Sequence, residues 1–183
     1  MIEGILKKKR AGNLPMNWVD LEFYPDSMGY KKEIYLPCKR IATNELIVLF
    51  HDLFGKIEND ILVYNKSWWD FCLDSWDPIN NKNNYENLDK SIETQNYLNL
   101  LRNSNIEIGF SGSCACSDWD KFLKIILECI IRHIAPFSPV LYNESNQLFF
   151  YFHHTGSIGL YYKEKNNFIN ELLLKSEFKY LLK

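Results

Sequence analysis

No run of apolar residues in this 183-residue chain is long enough to cross a bilayer. Stretches such as Leu46–Phe50 and Gln147–Phe152 fall far short of the ~20 residues that a membrane helix needs. The N-terminus, MIEGILKKKRAGNLP, places its basic run behind a short apolar stretch, whereas a secretory signal carries its charge first. Neither membrane insertion nor export is expected. A strong charge of one sign is also missing. The formal net charge is −2 and the pI near 6.1, so no overall positive field holds phosphates, and direct nucleic-acid binding is not expected. A disulfide framework is absent too, because the five cysteines, Cys38, Cys72, Cys114, Cys116 and Cys129, are odd in number and irregularly spaced. That usage suits a reducing compartment, where buried cysteine acts as a small hydrophobe, and makes the cytoplasm the expected location.

What is present is apolar mass. Hydrophobic residues make up 46% of the chain and aromatics 15%, enough to offset chain entropy on burial within a single domain spanning residues 1–183. Val19, Leu21 and Phe23 alternate with Asp20 and Glu22, and Ile34, Leu36 and Cys38 repeat the pattern after a Pro/Gly turn, which predicts an N-terminal antiparallel pair. Leu46, Leu49, Phe50, Leu53 and Phe54 form a helical stripe closed by Gly55. Ile61–Tyr64 reads as a short strand, residues 65–95 as a long loop, and Ile106, Ile108 and Phe110 as a strand. Ser117 and Asp120 fit a capping box opening a helix to about Ile134, whose wide apolar face includes Trp119, Phe122, Ile126 and Ile130. Gln147–His153 and Ile158–Lys163 flank a Gly156 turn and predict a hairpin, and Phe168, Ile169, Leu172 and Leu173 mark a last helix. The expected class is α+β: an antiparallel sheet with hairpins packed against a central amphipathic helix, with further helices flanking it.

Catalytic patterns are weak. Cys114, Cys116, His153 and His154 hold the residue types of a zinc site, but adjacent histidines in a strand point to opposite faces and the cysteine spacing is too short, so no metal is expected. A cysteine nucleophile activated by His133 or His153 has no support beyond the presence of those residues. Gly109-Phe110-Ser111-Gly112-Ser113 lacks the second glycine of a serine elbow. Gly109 and Gly112 could cradle an anion, yet no phosphate-loop lysine accompanies them. No cofactor is implied. The run Lys7-Lys8-Lys9-Arg10 reads as a mobile basic tail.

The most informative stretch is Ser67–Glu93. Six acidic residues stand against Lys82 and Lys90, interleaved with aromatic rings. Aromatic anchors with rim carboxylates suit recognition of a basic protein partner, and the candidate contact residues are Trp68, Asp70, Asp74, Trp76, Asp77, Tyr85, Glu86 and Asp89. The alternative is a solvated loop whose tryptophans dip into the core. The Tyr- and Trp-rich blocks Ile106–Gly112, Trp119 and Phe150–Tyr162, with Phe150-Tyr151-Phe152-His153-His154-Thr155-Gly156-Ser157-Ile158-Gly159-Leu160-Tyr161-Tyr162 at their centre, resemble the small immunity proteins of bacterial polymorphic and contact-dependent growth inhibition toxin systems. The resemblance implies a non-enzymatic cytoplasmic protein that binds a cognate toxin domain, commonly a nuclease, and blocks its active site. No functional residue transfers with it. A small intracellular enzyme using Cys/His chemistry is the alternative from a different class.

Overall fold

The structure, a computed structural model, describes residues 4–37 and 42–183. Its strands are β1 (Leu6–Ala11), β2 (Tyr30–Tyr35), β3 (Leu62–Asn65), β4 (Trp76–Asp77), β5 (Lys82–Asn83), β6 (Gly112–Cys116), β7 (Val140–Asn143), β8 (Leu148–His153), β9 (Ser157–Tyr162) and β10 (Leu181–Leu182). Four helices complete it: α1 (Thr43–Phe54), α2 (Ile92–Asn103), α3 (Trp119–Ile131) and α4 (Asn167–Lys179). Eight strands form one antiparallel sheet in the order β1-β6-β3-β7-β8-β9-β2-β10, and β4 and β5 make a separate minimal hairpin. The class is α+β, as the sequence patterning predicts.

The middle of the sheet is apolar on both faces. Along β8, Leu148, Phe150 and Phe152 join the main core under the helices, while Phe149 and the half-buried Tyr151 point the other way. This is the period-two alternation of a strand, with both sides needing cover. On the helical side, α3 packs against α1, α2 and β8, and Phe54 of α1 stacks on Phe150 with ring centroids 3.9 Å apart. Asp52 ties α4 to α1, accepting from Lys175 Nζ at 2.7 Å and from the Tyr180 hydroxyl at 2.9 Å. On the opposite side, residues 14–24 lie across the sheet as a strap. Leu14, Met16 and Trp18 are buried against Tyr142, Phe149 and Tyr161, and the Trp18 Nε1 donates to Gln147 Oε1 at 3.0 Å. Gly159 sits opposite Tyr151 in the ladder, and a Cβ there would come within 2.6 Å of the Tyr151 ring, so this glycine gives that ring its place on the sheet.

The hairpin β8–β9, the strand at 62–65 and the helices at 43–54 and 167–179 stand where their patterns place them. Other segments differ. The alternating Val19, Leu21 and Phe23 are not a strand, because Asp20 Oδ1 accepts from the Glu22 and Phe23 amides at 2.9 Å and folds the chain into a turn. β2 therefore pairs with β9 and β10, and Cys38 lies outside the described residues. The basic run is not a tail but β1, paired with β6 at one edge of the sheet. Ile106–Phe110 is a turn, with Asn105 at φ 52° and Gly109 at φ 85°, and the strand begins only at Gly112. Residues 92–103, to which the apolar pattern assigns no element, form α2.

α3 opens one residue later than the expected box, since Asp118 is the cap and accepts from the Lys121 amide at 2.9 Å. It also closes earlier. The His133 amide donates to Ile130 O at 3.1 Å and the Ile134 amide to Cys129 O at 2.8 Å, with His133 in the left-handed region at φ 58°. That pair of bonds is the Schellman closure, with histidine where glycine is usual. Ile126 is fully buried on the inner face of α3, so Ile126→Ala is expected to cost about 2–5 kcal/mol in urea unfolding. An unchanged midpoint would mean that α3 does not form the core contact described.

Candidate functional site

The acidic segment is built mostly from inward-turned hydrogen bonds. Trp68 is fully buried and its Nε1 donates to Gly112 O at 2.9 Å, so it is a core residue and not the partner contact its composition suggests. Asp74 is half-buried, with its carboxylate engaged within the fold. It accepts from the Ser91 amide and hydroxyl, both at 3.0 Å, and from Thr94 Oγ1, holding in place the N-cap of α2. Glu93 is buried and paired with Arg132 Nη1 at 3.0 Å.

The other candidates reach the surface. Asp70 accepts from Asn83 Nδ2 at 2.7 Å, from Ser67 Oγ and from the Tyr85 hydroxyl. The Tyr85 ring meets Trp69 edge-on at 5.2 Å, and its phenol is pushed up to about 12, first by burial and then by the bond to Asp70. Asp77 closes the turn after β4, accepting from Ile79 N at 2.9 Å and Asn80 Nδ2 at 2.6 Å; these bonds, that from the Asn80 side chain foremost, hold its carboxyl below the usual range. Arg102 of α2 braces the far side, donating to Asn87 Oδ1 at 2.8 Å and to Tyr85 O. On this braced scaffold Trp76, Ile79 and Leu88 remain exposed, Ile79 at 92%, with Glu86 and Asp89 exposed beside Leu88 in the chain.

A second feature adjoins this segment through Leu73. A groove of about 820 Å³ is lined by residues 21–25 at the end of the strap, the end of β3, Leu73, the 135–139 loop and the end of β8. Three of the chain's four histidines meet at it. The His133 and His154 rings are 4.8 Å apart and the His153 and His154 rings 4.1 Å. His154 lies in the turn after β8, where strand alternation no longer applies, and this is why adjacent histidines gather on one side. His153 accepts from or donates to Thr155 Oγ1 through Nδ1 at 2.7 Å, and burial, followed by the neighbouring His154, lowers its pKa. Phe23 and Phe137 stand at the same groove, exposed by 59% and 79%. Sequence reading did not find this site, because the left-handed turn at His133 that brings it here carries no glycine to announce it.

The cysteines do not join the histidines. β3 and β7 separate β6, which carries Cys114 and Cys116, from β8, which carries His153. Both thiols are pushed up to about 12, chiefly by burial, and Cys129 is raised further by its contact with Cys72 and by burial. Among the described residues no cluster of three or more His, Cys, Asp or Glu side chains could hold a metal ion, and no helix is long and apolar enough to cross a membrane. No protein-family model, curated protein or solved structure matches the chain.

Asp74→Ala leaves the Ser91 and Thr94 hydroxyls without their shared acceptor and is expected to cost about 1–3 kcal/mol in chemical denaturation, whereas Glu86→Ala should stay within about 0.5 kcal/mol of the parent. Equal stabilities for the two variants would contradict the structural role given to Asp74.

Proposed function

We propose that the protein is a non-enzymatic immunity protein that binds a cognate toxin domain of nuclease type and neutralises it by occluding its active site. The observation that carries this reading is the state of the 67–91 segment: its own hydrogen bonds fix it, yet Trp76, Ile79 and Leu88 stay in solvent beside acidic side chains. A surface already ordered loses little entropy on association, and exposed large apolar groups supply area to bury. Glu86 and Asp89, with the surface-facing Asp70 and Asp77, complement the basic cleft with which a nuclease holds phosphates, so they steer encounter while the apolar groups set the lifetime of the complex. The resemblance of the 106–162 block to immunity proteins supports the same class. The Cys/His enzyme finds less support, since Cys114 and Cys116 are disfavoured as thiolates and two strands lie between β6 and the strand that carries His153.

The test uses the protein encoded immediately upstream of this chain. Co-expression is expected to relieve growth arrest caused by that protein, and the purified chain to suppress its nuclease activity; failure of both overturns the proposal. In the same assay Glu86→Gln with Asp89→Asn should slow association several-fold at low salt, with the difference shrinking as salt is added. Asparagine suits position 89, whose φ is 61°. Ile79→Ala should instead speed dissociation by about tenfold if the side chain is an anchor.

A further inference from the structure

The groove at the other end of Leu73 has the makings of a separate ligand site. Its volume, about 820 Å³, falls in the range of small-molecule pockets, and its lining follows their usual plan of apolar and aromatic walls with a few convergent polar groups. The walls include Phe23, Tyr24, Phe137 and Tyr151. The polar groups are three imidazoles, with the His154 ring in contact with both His133 and His153, and Lys66 in the same lining. His133 reaches the groove only because it occupies a left-handed helix-closing position that most residues adopt at a cost. The 4.1 and 4.8 Å ring separations hold the imidazoles close enough that a second positive charge meets the first at short range, and an anion is what relieves that repulsion.

We propose that this groove binds a small aromatic anion, its ring lodged among Phe23, Tyr24, Phe137 and Tyr151 and its acidic group received by His133, His153 and His154. Imidazole N–H groups are charge-assisted donors once protonated, and each such bond to a carboxylate is stronger than its neutral counterpart. Binding therefore takes up protons and tightens as pH falls through the imidazole range.

The groups that face the cluster fix the sign. Lys66 adds a positive charge, and Glu22 on the strap is the acidic residue of the lining. Glu33 of β2 acts on His153 in favour of its charged form, against the burial and the His154 charge that oppose it. The Thr155 hydroxyl bonds His153, and the Tyr24 and Tyr151 phenols, pushed up to about 12 chiefly by burial, stay neutral throughout. Arg132, next to His133, is engaged by Glu93 and Glu128. With three imidazoles and one lysine against Glu22 in the lining, acidification makes the groove an anion receptor.

The experiment titrates the intact chain with naphthoate and, separately, with naphthamide, the uncharged amide of the same ring, at about pH 5.5 and about pH 8, on either side of the ordinary imidazole pKa. Naphthoate is expected to bind on the order of tenfold more tightly at the acid pH, and naphthamide equally at both. In the double variant His133→Asn with His154→Gln, which leaves His153 alone of the three imidazoles, the pH dependence of naphthoate should shrink severalfold while naphthamide binding persists; asparagine tolerates the left-handed backbone at 133, and near-ultraviolet circular dichroism checks the fold. Phe137→Ala, at a position 79% exposed, should weaken both probes at both pH values. The proposal is overturned if naphthoate fails to bind at millimolar concentration, if its affinity ignores pH, or if the double variant keeps the native pH dependence.

Discussion

Everything in this architecture answers to one constraint: the central strands of the sheet are apolar on both faces, so neither face can be left to water. β8 states it most sharply, with Leu148, Phe150 and Phe152 turned to the helices and Phe149 and Tyr151 turned away. Four helices cover the first face. Among the described residues no second helical layer lies on the other, which the 14–24 strap covers with a few large side chains. A strap covers less width than a helix. The groove opens where the strap, the 135–139 loop and the end of β8 meet, so the concavity is a by-product of covering a two-faced sheet from one side with irregular chain.

Carboxylates in the 67–93 stretch serve two physical ends. Asp70, Asp74 and Asp77 act as acceptors that organise a segment with little regular structure of its own, each collecting two or more donors from nearby amides, hydroxyls or side-chain amides. Glu86 and Asp89 stay exposed. The same local composition thus yields both rigidity and a negative surface, and the rigidity keeps Trp76, Ile79 and Leu88 from collapsing inward.

Legibility followed the range of the interactions involved. α1, α3, α4 and the β8–β9 hairpin were readable because their apolar periods are long and Gly156, at φ 80°, marks the turn. The three-residue alternation at Ile106, Ile108 and Phe110 was too short to separate a strand from a turn that follows a helix. α2 went unseen because Asn and Thr dilute its apolar face and its cap is completed by Asp74, distant in sequence. The candidate contact residues were found as a segment, but which of them face inward was not readable, since Trp68 and Asp74 are claimed by partners at Gly112 and Ser91. The histidine groove depends on a helix closure at His133 and a turn at His154, and neither leaves a compositional trace.

The open sheet also has two margins, and they are protected by different means. At β1 the exposed side chains include Lys7, Lys8, Lys9 and Arg10, with Lys8 paired to Glu107 and Arg10 to Glu144, so a second chain approaching to extend the ladder meets an edge of charged side chains. At its other margin β10 is a two-residue strand, Leu181–Leu182, set against the Ile34–Tyr35 end of β2. A chain nearly half hydrophobic, built on eight adjoining strands, is thereby given little means of growing sideways into fibrils, and the basic run near its N-terminus acts as a guard on self-assembly.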